Sequence, residues 1–117
     1  MARNQNIKND LTGMLCFNSQ YFLQCIEGPR SAINDTYHKI LNDKRHSQIV
    51  ILDYKEVTNR EFNDWSMGYV PESSFSAPQI LKYSGKKEFN PYEMSGESAY
   101  LLMLSLKISI DSKLNWL

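Results

Sequence analysis

Two apolar runs of strand length, residues 11–17 (LTGMLCF) and 21–27 (YFLQCIE), lie three residues apart, and that pairing constrains the fold most. The connection Asn18, Ser19, Gln20 has the polar character and length of a hairpin loop, so the runs predict a β-hairpin. A strand with one face in water alternates apolar and polar residues, whereas these runs are nearly continuous. The hairpin is therefore expected at the centre of a sheet, with both faces covered or with one lying against a ligand.

The remaining chain supplies the covering elements. Residues 1–10 are rich in asparagine and read as a helix end or loop, with Asn9 and Asp10 suited to a turn before the first strand. After the hairpin, Gly28 and Pro29 stop the strand, and proline suits the first position of a helix because its missing N–H would be unpaired there. Ile33, Tyr37, Ile40 and Leu41 recur at helical spacing, which predicts an amphipathic helix over 29–42 with one apolar stripe for the sheet. Residues 49–54 (IVILDY) are rich in β-branched side chains and predict a buried strand. Residues 62–70 (FNDWSMGYV) predict another, with Trp65, Met67 and Tyr69 on one face by the period of two. A loop follows over 71–77, then aliphatics from 99 toward 114 dense enough for a helix that caps something.

The order hairpin, crossover helix, two strands and helical tail predicts an α+β protein: an incomplete ferredoxin-like sheet with helices on one face and a C-terminal helical cap. The expected division is a domain over residues 1–70 and an extension over 71–117. A ferredoxin-like sheet opens with a strand and a helix before such a hairpin, and residues 1–10 do not supply them.

Composition narrows the partners. Thirteen basic residues balance thirteen acidic ones, so no net field draws the chain to nucleic acid or to an anionic membrane. Cys16 and Cys25 fit no metal or haem spacing and read as reduced core thiols. Residues 1–117 contain no secretory pattern and no apolar run approaching the roughly 18 residues that span a bilayer, so the expected compartment is the cytoplasm. No nucleophile triad, Gly-rich phosphate loop, paired acid and base or metal motif is recognisable, and an enzyme is not expected.

One residue is out of place: Gln24, a primary amide among Phe22, Leu23, Cys25 and Ile26. Burying an amide without hydrogen bonds costs about 1–3 kcal/mol, so it needs a partner, either neighbouring backbone or a polar ligand. An amide offers an acceptor on one side and donors on the other, and rotation or tautomerisation inverts what a partner meets. Asn6 is a second amide, just ahead of the hairpin, readable as a surface asparagine or as a contact to the same ligand. On the helix, Thr36, Lys39 and Asp43 form a polar stripe, with Arg45 and His46 at its end. That stripe is a solvated face carrying a Lys39–Asp43 pair, or else a phosphate or polyol contact.

Taken together, Asn6, LTGML (11–15), FLQCIEGP (22–29), NDKRH (42–46) and FNDWSMGY (62–69) resemble the BLUF family of flavin-binding blue-light sensors, in order and in spacing. The resemblance covers residues 6–70 and implies a bound flavin, usually FAD, with no metal. It implies that Gln24 is the glutamine whose amide rearranges under light and that Asn6 hydrogen-bonds the flavin ring. Phe22 and Ile40 would line the ring's apolar walls, Lys39 would stand near the flavin tail, and Asp43 would meet the ribityl chain, with Arg45 and His46 beside it. Lys39 stands where many members carry arginine, keeping the charge and losing the bidentate fork. Trp65 and Met67 match the pair thought to relay the signal outward from Gln24.

The family's first strand carries a tyrosine that donates an electron and a proton to the excited flavin, and all seven tyrosines here lie at or after Tyr21. The expectation is a fragment or mis-started frame, with weakened flavin binding and an impaired photocycle that lacks the family's reversible red shift. Its output is expected through a separate signalling protein, with a homo-oligomer left open. The competing expectation is a flavin-free protein–protein interaction module.

Overall fold

The computed structural model describes residues 10–114. They form two compact units, one joining residues 10–13 to Ile26–Met67 and the other joining Met14–Cys25 to residues 68–114.

The hairpin forms as the sequence predicts, as β1 (Thr12–Phe17) and β2 (Phe22–Glu27). Its turn is closed by Asn18 N–H donating to Tyr21 O at 3.0 Å, while Asn18 Oδ1 accepts from Gln20 N at 2.9 Å and Tyr21 N at 2.7 Å. That side chain mimics a further turn of backbone, which is why asparagine suits the position. A third strand, β3 (Gly68–Pro71), joins the other side of β1 in parallel, with Met14 opposite Gly68 and Cys16 opposite Val70. Among the described residues the sheet order is β2-β1-β3, so β1 is the central strand.

The segment 49–54 does not become the expected strand. It runs without ladder hydrogen bonds, and Val50 and Ile51 are 57% and 51% exposed. Strand-forming composition describes fitness for a pleated, half-buried surface, and no described strand lies alongside to provide one. The strand expected over 62–70 is likewise shorter: residues 61–67 turn, and only Gly68–Pro71 pair. Trp65, Met67 and Tyr69 consequently do not share one strand face; Met67 is buried, Trp65 half-buried and Tyr69 exposed.

In the first unit, α1 (Arg30–Asn42) follows β2, with Pro29 as its N-cap rather than its first helical residue. Its apolar stripe is present but only half-covered: Ile33, Tyr37 and Ile40 are half-buried, Leu41 is exposed, and no residue of the helix is fully buried.

The second unit adds α2 (Ala77–Ser84) and α3 (Gly96–Leu114), which pack together. Sequence reasoning left residues 78–98 unassigned, although Ser76-Ala-Pro-Gln79 carries a helix-start signal. Ser76 Oγ accepts from Gln79 N at 3.2 Å and Gln79 Oε1 accepts from Ser76 N at 3.0 Å, forming a capping box. The same glutamine donates through Nε2 to Ser105 and Ser109 on α3, at 2.9 and 3.1 Å. Met14, Cys16, Leu23 and Val70 from the strands are buried with Ile80, Leu102, Met103 and Leu106 from the helices in this unit's core. The expected cap over 99–114 thus exists as α3. No described helix is long and apolar enough to cross a membrane.

Candidate functional site

The hairpin has one sealed face and one open face. The turn pairs Asn18 with Tyr21, and counting outward sets Leu15 beside Gln24 and Thr12 beside Glu27; the Thr12–Glu27 side-chain bond of 3.1 Å agrees with this register. Cys16, Leu23 and Val70 lie on the buried side. Leu15, Phe17, Phe22, Gln24 and Tyr69 lie on the other, where Leu15, Phe17 and Gln24 are half-buried and Phe22 and Tyr69 are 43% and 45% exposed. One face of the hairpin is thus covered and the other is partly open to solvent. Gln24 is therefore half-buried rather than enclosed, an amide set in an apolar patch.

Thiol chemistry has no part in this patch. Burial, and secondarily the neighbouring Cys25, push the Cys16 thiol up to about 12, and neither cysteine is in a disulfide.

In the first unit, α1 and the turn after it gather Asp43, Arg45 and His46. Asp43 N donates to Ile40 O at 3.2 Å and His46 N to Asp43 O at 3.0 Å, folding the chain back so that both following side chains reach the carboxylate. Arg45 Nη2 donates to Asp43 Oδ2 at 2.6 Å and Nε to Oδ1 at 3.0 Å, while His46 Nε2 stands 3.7 Å from Oδ2. The hydrogen-bonded Arg45 guanidinium holds the Asp43 carboxyl well below the usual carboxylate range, helped by the Arg45 N–H, and Asp43 in turn raises Arg45. Of the two readings of this stripe, the Lys39–Asp43 pair is replaced by an Asp43–Arg45 pair, because the turn brings Arg45 to the carboxylate while Lys39 is exposed. Thr36, on the same helix face as Ile40 and Asp43, places its Oγ1 out of solvent with no hydrogen-bond partner among the described residues.

A second cluster was not anticipated. Glu27 is 7% exposed, and its carboxylate accepts from Thr12 Oγ1 at 3.1 Å, Glu61 N at 2.7 Å and Phe62 N at 2.9 Å. Arg60 continues the network to Thr12 at 3.4 Å and Asp10 at 3.2 Å. Trp65 O accepts from Gly13 N at 3.0 Å, tying the residues after this loop to the start of β1. Gly28 sits beside the cluster with φ of 157°, where a Cβ would stand 2.6 Å from Leu11 Cδ2 and 3.0 Å from Asp10 O. Only glycine fits that approach. The EGP of the motif is thus a structural clamp, a role visible only once residues 34 and 35 positions downstream are brought to Glu27.

Asn6 lies outside the described residues. Among the described residues, no group of three or more His, Cys, Asp or Glu could hold a metal ion.

Comparison with known proteins settles the family. The family model "Sensors of blue-light using FAD" matches residues 1–68, more than half of the chain. The chain belongs to the BLUF family. The BLUF match is supported by the blue light- and temperature-regulated antirepressor BluF of Escherichia coli, 40% identical over 52 residues, which are 44% of this chain and 13% of that protein. The photoactivated adenylate cyclase subunit beta of Euglena gracilis is 34% identical over 70 residues, 57% of this chain and 8% of that protein. This chain therefore spans a small part of the length of these relatives. Among solved structures, the photo-activated state of BlsA superposes with a TM-score of 0.78 at 27% identity, covering 90% of this chain and 74% of that one. The fold is the α+β, ferredoxin-like BLUF fold.

Each unit by itself carries groups that a flavin calls for: in one, an amide in an apolar sheet face, and in the other, a helix with a half-covered apolar stripe that ends at a carboxylate beside Arg45. An aromatic ring system with a polyol tail calls for each of these.

Proposed function

We propose that this chain is a flavin-binding blue-light sensor module in which the Gln24 amide hydrogen-bonds the flavin and rearranges to start the signal. The observation that carries the reading is the placement of Gln24 within the half-open apolar face of Leu15, Phe17, Phe22 and Tyr69, at the motif's glutamine. Phe22 and Ile40 supply apolar walls. Asp43, oriented by Arg45 and His46, takes ribityl hydroxyls, and exposed Lys39 stands near the tail's phosphates. Asn6 is assigned to the flavin ring. FAD is the proposed flavin, and it supplies the light-absorbing, redox-active ring.

Signal relay is assigned to Trp65 and Met67. Trp65 is fastened through its carbonyl to Gly13 at the start of β1, and Met67 is buried immediately before β3, which pairs with β1. A change at Gln24 on β2 would reach them through this central strand. The E. coli and Euglena relatives are named an antirepressor and a cyclase subunit, and a separate effector protein is proposed as the partner here.

None of the seven tyrosines precedes Tyr21, so the proposal concerns flavin contact and the amide's hydrogen bond rather than the electron donor. The test is a titration with FAD comparing the chain with its Gln24→Leu variant. Saturable binding, with a flavin band displaced in the variant, is the expected result. Binding with an identical band in both would refute the role of Gln24. A flavin-free interaction module is the competing reading, favoured by the exposure of Val50, Ile51, Tyr54 and Val57; it predicts no binding in the same titration.

A further inference from the structure

Thr36 holds a hydroxyl that the described residues leave unanswered. A helical threonine ordinarily turns its hydroxyl to the carbonyl one turn back. Here Oγ1 is shielded from solvent and has no hydrogen-bond partner among the described residues. Buried hydroxyls are rarely left in this state, because the missing bond costs free energy that a methyl group in the same place would not. Thr36 shares a polar stripe with Lys39, but their environments differ: Lys39 is exposed, whereas the Thr36 oxygen is enclosed.

Its position says what the hydroxyl faces. At 100° per residue, Ile33, Thr36, Ile40 and Asp43 lie on one side of α1, and Thr36 falls near the middle of that stripe. Ile33 and Ile40 are half-buried, so this is the inward side of the helix and it lacks part of its cover. Along the axis, Thr36 stands about 6 Å beyond Ile40 and about 10 Å beyond Asp43. Under the proposed function, Asp43 meets the ribityl tail and Ile40 the ring wall, which leaves Thr36 facing the ring, away from the tail.

We propose that Thr36 is a flavin-binding residue whose hydroxyl hydrogen-bonds the polar edge of the isoalloxazine ring. The ring edge offers carbonyl acceptors and an N–H, and a hydroxyl can serve either. This assignment rests on the flavin-binding reading of the same site and adds a specific contact to it.

The test uses the chain with Thr36→Val, which keeps shape and helix propensity and removes the hydroxyl, and with Thr36→Ser, which keeps the hydroxyl. Two readouts separate ligand contact from structure. In the flavin-free protein, Thr36→Val should melt no lower than the parent, since it removes an unanswered polar atom. In fluorescence titrations it should bind both FAD and lumiflavin, which is the ring without the tail, about three- to tenfold more weakly, while Thr36→Ser stays within about twofold. Equal affinity of parent and Thr36→Val overturns the proposal, as does a lower melting temperature of flavin-free Thr36→Val, which would reveal an internal partner. Weakening confined to FAD overturns the ring assignment. A parent that binds neither flavin refutes the proposed function itself, and is told apart from failure of Thr36 because no variant is then needed to see it.

Discussion

Replacing Glu27 by glutamine tests the clamp that holds the two ends of the hairpin to the following loop. The substitution changes one oxygen to NH2 with almost no change in volume. Glutamine can keep Oε1 toward Thr12 Oγ1 and Phe62 N, which share that oxygen, but its amide nitrogen then faces Glu61 N–H across 2.7 Å, donor against donor. Flipping the amide restores Glu61 and strands the Phe62 N–H, while the Thr12 hydroxyl can turn to accept from the amide. Losing one charge-assisted hydrogen bond and stranding one partly buried N–H is expected to cost about 2–4 kcal/mol. That is a large share of the 5–15 kcal/mol typical of a small domain, and corresponds to a fall in melting temperature of about 10 °C or more. Urea denaturation followed by tryptophan fluorescence reads it directly, because Trp65 adjoins the clamped loop. A Glu27→Gln midpoint unchanged to within about 0.5 kcal/mol would refute the buried three-bond carboxylate.

Gly28→Ala should destabilise by about 1–3 kcal/mol, because its Cβ meets the Leu11 side chain and Asp10 carbonyl at a φ that side chains rarely adopt; a thermal melt checks it. Gln79→Leu removes half of the α2 capping box and both bonds to α3, and should cost about 1–3 kcal/mol in urea denaturation. The Asp43 carboxyl, lowered by Arg45, contributes stability that is present above its ordinary value of 3.8 and is lost as pH falls through the lower folded value. Its carboxyl resonance should therefore titrate below 3.8, and Arg45→Ala should move that midpoint back up. Cys16, with its thiol pushed up to about 12, should resist alkylation at pH 8 in the folded protein, while half-buried Cys25 reacts first; peptide mass spectrometry distinguishes them.

What the sequence disclosed follows from how local each feature is. The hairpin was legible because its turn, Asn18 to Tyr21, and both its strands lie within 16 residues whose patterning agrees at every step. Helix α1 was legible from its stripe, although the stripe's half-covered state depends on what lies beyond the helix. The 49–54 segment misled because β-branched composition cannot say whether a neighbouring strand is at hand. Helical spacing offers Lys39 as a partner for Asp43, but it does not extend into the turn after the helix, where Arg45 takes the carboxylate. Glu27 and Thr36 were opaque for opposite reasons. Glu27's partners are distant in sequence, and the enclosure of the Thr36 hydroxyl without a hydrogen-bond partner among the described residues shows only in three dimensions.

The central claim is that the open hairpin face around Gln24 receives a flavin. Its most direct measurement is the visible absorption spectrum of the purified chain after incubation with FAD and removal of free ligand, recorded beside Gln24→Leu. The account predicts a retained flavin band in the parent and a displaced or weakened band in the variant. A colourless parent, or a band identical in both, would contradict it.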